Sequence, residues 1–164
     1  MKQPPGGQPE SQIPMEFSII NSTQEEIPET LLRNCAHLLL DAELPEQDLD
    51  LGLLICDDDA MQDYNRRYRG EAGITDVLSF TDLDQSPDSV LAGVLPPSAD
   101  IIIDINQLDR QKGNKSREDE LLRVFIHGLL HACGYDHIRA GDREVMESKE
   151  RYYRQLMDGK HRRG

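Results

Sequence analysis

Apolar positions alternate between two periods along this chain, and the switches mark its elements. Met15 to Ile20 alternates weakly, permits a strand, and ends at the turn-forming Asn21-Ser22-Thr23. From Ile27 to Leu40 the apolar residues Leu31, Leu32, Cys35, Leu38 and Leu39 follow helical spacing, with Pro28 tolerated in the first turn. Asp48 to Cys56 reads as a strand with little solvent-facing alternation. Asp57, Asp58 and Asp59 then place carboxylates where a helix dipole favours them, and that helix is predicted to reach about Tyr68. Asp76 to Phe80 is a short strand, and Thr81 to Pro97, polar and with three prolines, is an exposed loop. Ala99 to Ile103, apolar on both faces except at Asp100, is a buried strand. A helix from Ile105 is broken by Gly113. Ser116 then opens another as N-cap, with Glu118, Asp119 and Glu120 in its first turn. Ala140 to Met157 forms a last charged helix with a Val145/Met146/Tyr153/Leu156 stripe. There is no internal repeat.

Composition changes this picture in three ways. A chain of 164 residues forms one domain with a sizeable core, and with no Trp that core is aliphatic. The net charge of −13 repels bulk nucleic acid and anionic membrane, so binding of RNA requires a local basic site. Cys35, Cys56 and Cys133 are odd in number, widely spaced and lack a C-x-x-C, which argues against a disulfide framework and fits a reducing cytosol. No apolar run approaches transmembrane length, and residues 1–14, rich in Pro, Gly and Gln, are expected to be a disordered leader without signal-peptide character. Residues 15–157 are the expected single domain and 158–164 a basic tail, more plausible as disordered chain than as a specific RNA contact.

The candidate chemistry lies in His127-Gly-Leu-Leu-His131-Ala-Cys-Gly-Tyr-Asp-His137, which holds three of the chain's five histidines. His127 and His131, four apart on a helix, project from one face with Cβ atoms roughly 5–6 Å apart. Gly134 supplies the left-handed residue that stops the helix, and the turn swings His137 back toward the pair. Three imidazoles without a fourth protein ligand are the donor set of a catalytic zinc site with one open position. The spacing is that of zincin metallopeptidases, in the longer metzincin form, but Gly128 stands where those enzymes carry the glutamate base. Glycine inside a helix costs about 1 kcal/mol relative to alanine, so another element or the substrate is expected to press against position 128. Cys133, two residues after His131, points away from the ligand face and is expected to be a small buried hydrophobe rather than a fourth ligand.

Arg66, Arg67 and Arg69 form a second cluster. Cations at a helix C-terminus suit the dipole, and that explains at least two of them. One arginine reaching the histidines would bind phosphate bidentately and offset charge in phosphoryl transfer. Spacing alone does not choose among the three.

The histidine segment resembles the signature H-G-x-L-H-L-x-G-Y-D-H of the YbeY family of metal-dependent endoribonucleases. Tyr68-Arg69-Gly70 leading into Thr75-Asp76-Val77-Leu78-Ser79-Phe80 is similar to that family's second signature. The resemblance covers about Met15 to Leu156. It implies an α+β, zincin-like fold, with a small mixed β-sheet of about four strands packed against five or six helices. It implies His127, His131 and His137 as ligands of one zinc or other divalent transition-metal ion, and Arg69 as the catalytic arginine. Asp136, Ser79 and Gly128 are further candidates for supporting the ligands or lining the substrate pocket. The implied function is single-strand-specific endoribonuclease activity in ribosomal RNA processing, including the small-subunit 3′ end, and in ribosome quality control. The implied partners are rRNA, the ribosome or small-subunit proteins and an assembly GTPase, in the cytoplasm and away from membranes. Ala132, Cys133, Thr81 and Ala99 depart from the family pattern without touching a ligand position. A zincin metallopeptidase and a non-catalytic metal-binding ribosome-assembly factor are the competing readings.

Overall fold

The computed structural model of the chain describes residues 16–82, 97–135 and 140–163. Four strands, β1 (Phe17–Asn21), β2 (Asp50–Cys56), β3 (Val77–Thr81) and β4 (Ser98–Asp104), form one sheet in the order β1-β2-β4-β3. β1, β2 and β4 run parallel, and β3 pairs antiparallel to β4 at the edge, so the sheet is mixed. Among the described residues the helices are α1 (Glu29–Glu43), α2 (Asp58–Arg69), α3 (Ile105–Gln111), α4 (Arg117–Ala132) and α5 (Ala140–Arg163). The fold is α+β, with the four strands expected and five helices.

Strand register sorts the side chains into two faces, because alternate residues point to opposite sides. On one face Phe17, Leu51, Leu53, Ile55, Ala99, Ile101 and Ile103 meet α1, α4 and α5 in the main core. Phe17 there stacks on Phe125 of α4, with ring centroids 6.0 Å apart and nearly parallel planes. On the other face Cys56, Leu78 and Ile102 pack against Met61 of α2 in a smaller cluster. The rest of this second face is only partly covered: Ile20 is 62% exposed. Along β2 Leu51 and Leu53 are buried and Gly52 and Leu54 half-buried, so no residue of the strand is exposed, in keeping with the little solvent-facing alternation of its sequence.

Three expectations shift. Pro28 is the N-cap of α1 rather than part of its first turn. In α5 the buried positions are Met146, Tyr153 and Met157, whereas Val145 is 49% exposed. Successive positions stand about 100° apart around a helix, and here Met146 takes the inward direction while Val145 falls at the edge of the buried stripe. The helix continues to Arg163, so backbone expected to be a disordered tail is helical. The expected leader at residues 1–14 and most of the expected loop at 81–97 lie outside the described residues.

Candidate active site cleft

α4 is the frame of the site. The Ser116 hydroxyl caps it, accepting the Asp119 N–H at 3.0 Å. The first turn holds Glu120, almost fully buried, which accepts from Gln111 and pairs with Lys115 and Arg123. Burial opposes its ionisation, but these donors prevail and hold its pKa at about 2. Gln111 also donates to Asp76 at 3.0 Å, which fixes the start of β3 against α3 and α4. At its far end α4 closes as expected. Gly134 is left-handed at φ 104°, its N–H bonds the His131 carbonyl, and the Tyr135 N–H reaches back to the Leu130 carbonyl.

Near that end His127 and His131 lie side by side, with ring centroids 4.6 Å apart and planes 78° apart. His127 Nδ1 is 2.6 Å from Glu150 Oε1 of α5. Burial raises the Glu150 pKa, but the bond to His127 and the nearby charges of Arg123 and Arg154 outweigh it and hold the carboxylate below its usual range. A carboxylate on Nδ1 fixes the tautomer with the proton there and leaves Nε2 as a lone-pair donor, the arrangement met in histidine ligands of metals. Glu150 is the carboxylate that supports His127 here, where Asp136 is the one expected from the sequence to orient a ligand. Its signal is positional: Glu150 shares the face of Met146 and Tyr153, where a carboxylate needs a partner.

Position 128 is pressed as expected. A Cβ built on Gly128 would stand 3.1 Å from Ile101 Cγ2 and 3.1 Å from Ser79 Oγ. The Ser79 hydroxyl points at the Gly128 carbonyl at 3.4 Å. The sheet edge thus lies directly on the helix, and β3 forms the wall of a cleft of about 550 Å³ lined by Arg69, Asp76, Ser79, Thr81, His127 and His131.

Arg69 reaches this cleft because it is the last residue of α2. Gly70 follows at φ 67°, with its N–H on the Arg66 carbonyl. Arg67 pairs instead with Asp63 on the exposed side of the same helix. Cys133, expected to be buried, is half-buried against the core, and burial pushes its thiol up to about 12. The described structure therefore brings Arg69, Ser79, Gly128, His127 and His131 together and adds Glu150. His137 and Asp136 lie outside the described residues. Among the described residues no group of three or more His, Cys, Asp or Glu side chains is gathered closely enough to hold an ion. The pair that is described, with its carboxylate support, fits two of the three ligands expected.

Comparison with known proteins identifies relatives of the chain. The family model described as Endoribonuclease YbeY matches residues 18–158. An endoribonuclease YbeY of Petrotoga mobilis is 32% identical, over 90% of this chain and all of that protein. One of Leptospira interrogans is 37% identical, over 77% of this chain and 99% of its own length. A solution structure of a Thermotoga maritima protein superposes with a TM-score of 0.58 at 26% identity, covering 89% of this chain and 91% of that one. A match across nearly the whole domain, to relatives spanned almost end to end, identifies the chain as a member of the endoribonuclease YbeY family.

Proposed function

We propose that this protein is a metal-dependent, single-strand-specific endoribonuclease that matures ribosomal RNA in the cytoplasm, in a ribosomal context with small-subunit proteins and an assembly GTPase. The observation that carries the reading is the convergence of Arg69 and the His127–His131 pair on one cleft, with Glu150 behind His127. His127, His131 and His137 would hold one ion, zinc or a related divalent metal. When bound, that ion supplies Lewis-acid polarisation of the phosphoryl group and activation of water. Glu150 keeps His127 in the tautomer whose Nε2 is a lone-pair donor. Arg69 binds the phosphodiester and offsets the charge that grows on it during displacement. No glutamate base stands at Gly128, and a side chain there would press on Ile101 and Ser79 at 3.1 Å, which counts against the metallopeptidase alternative.

The acidic net charge is consistent with affinity drawn partly from a ribosomal context. Among the described residues no helix is long and apolar enough to cross a membrane. The test is RNA hydrolysis and metal content on three proteins. His131→Ala should lose metal and cleavage together, and Arg69→Ala should keep metal and lose cleavage. Full cleavage by Arg69→Ala, or stoichiometric metal in His131→Ala, would overturn the assignment.

A further inference from the structure

The residue before Arg69 belongs to a different surface. Tyr68 is 57% exposed, lies 6.2 Å from Tyr64 in a near-parallel stack, and meets the edge of Phe80 at 5.4 Å. These rings line one end of a groove of about 660 Å³ over the partly covered face of the sheet, beside Leu54 and Ile102. Register explains the arrangement: Ser79 faces α4, so Phe80 must face the opposite side, toward α2. Phe80 lines this groove and the cleft of Arg69 and His127 alike, so the two adjoin at the edge strand β3.

We infer that Tyr68, backed by Phe80, is a stacking platform for an unpaired base of the RNA strand whose scissile phosphate is held at Arg69. This rests on the RNA-hydrolase reading above and adds a specificity residue to it. An exposed aromatic ring next to a phosphate-binding arginine is the pairing by which proteins take single-stranded nucleic acid, since every base offers a π-face. Charge sets the orientation. Asp50, Asp100 and Glu16 line the same groove and repel a phosphate backbone, so the backbone stays on the arginine side and the base turns in. A duplex cannot comply, because its bases are already stacked and paired, and selection for single strands follows.

The test uses the full chain with a single-stranded RNA oligomer carrying 2-aminopurine beside the cleavage site. Tyr68→Ala should raise KM on the order of tenfold, the loss of about one base–aromatic stack, with kcat changed much less. It should also abolish the fluorescence quenching of the bound 2-aminopurine. Tyr68→Phe should restore both. Tyr68→Leu, which keeps an apolar cover over Phe80 but has no aromatic face, should behave like alanine, and its rescue of KM would mean that the ring only packs. An abasic nucleotide at the flanking position should reproduce the defect in the wild type and add nothing to Tyr68→Ala. Wild-type cleavage with unchanged KM and quenching in Tyr68→Ala would overturn this inference alone. Absence of RNA binding by the wild type would overturn it together with the proposed function.

Discussion

Glu150 Oε1 lies 2.6 Å from His127 Nδ1, joining the last helix to the helix that carries the site. The two residues are 23 apart in sequence, and the contact fixes which nitrogen of His127 faces the cleft.

Replacing this carboxylate should weaken the site without dismantling it. Glu150→Gln keeps an acceptor for the imidazole N–H but loses the charge, and zinc affinity is expected to fall about 10- to 100-fold, the range for supporting partners of metal ligands. Competition with a chromophoric chelator measures this. Wild-type affinity in Glu150→Gln would remove its role.

Gly128 balances two opposed effects. Alanine would gain about 1 kcal/mol of helix propensity. Its Cβ would meet Ile101 and Ser79 at 3.1 Å, and overpacking of this kind costs about 1–3 kcal/mol. Gly128→Ala is therefore expected to destabilise the protein by about 1 kcal/mol, the difference between those terms. Gly128→Glu, which would restore the peptidase base, should be destabilised more than the alanine variant and should not acquire peptidase activity. Urea denaturation checks both, and a stabilised alanine variant would show that the sheet edge yields.

A buried aspartate beside a partly exposed one, on the other side of the sheet, should give a distinct pH dependence. Asp104 is fully buried; its Oδ1 caps α3 by accepting the Asn106 N–H, and Oδ2 has no hydrogen-bond partner among the described residues. Burial first, and then the neighbouring Asp58 carboxylate, push the Asp104 pKa up to about 7. Asp58 itself is held down at about 2, chiefly by its two-pronged bond to Arg110. For Asp104 the folded state binds the extra proton, so its contribution lowers stability as pH rises from about 4 to about 7. For Asp58 the sign is reversed, and stability is gained as pH rises from about 2 to about 4. Asp104→Asn keeps the cap and offers an amide to Asp58. It should flatten the decline between pH 4 and 7 and raise stability at pH 8 by about 1–2 kcal/mol. Unfolding midpoints across pH decide it, and an unchanged decline would assign the effect elsewhere.

Glu43 ties the end of α1 to the far end of the site. Its carboxylate accepts from Tyr135 at 2.6 Å, from Lys149 at 3.0 Å and from the Tyr153 hydroxyl. Burial raises its pKa, but these three donors prevail and bring it below the usual value. The stability it contributes is present above the ordinary glutamate pKa and is lost as pH falls through the lower folded value. Glu43→Gln turns one acceptor into a donor facing donors and should cost about 2 kcal/mol at pH 7. Its deficit against the wild type should shrink as pH falls below 4, which thermal unfolding at pH 7 and pH 3 would reveal.

Most elements were legible in the sequence because their determinants are local. The apolar period placed α1, α4 and the four strands within a few residues. Ser116 and Gly134 marked the ends of α4 through capping chemistry that needs only neighbours in the chain. Glycine at 128 announced a close contact through its helix cost, without saying that Ile101 and Ser79 would make it. Periodicity was too coarse for the α5 stripe, where Met146 faces the core and Val145 stands half-exposed at its edge.

The donor chemistry can be read from the chain alone: histidines one helical turn apart, a glycine stop, a missing base, and an arginine cluster at a helix end. The choice of Arg69 among that cluster came from the resemblance, not from spacing. Only the tertiary structure decided that Arg69 lines the histidine cleft while Arg67 turns to Asp63, that Glu150 supports His127, and that Phe80 lines two grooves. The reason is one of range. A residue's own helix or strand fixes the face on which it stands, whereas the group it meets there is set by how distant elements pack.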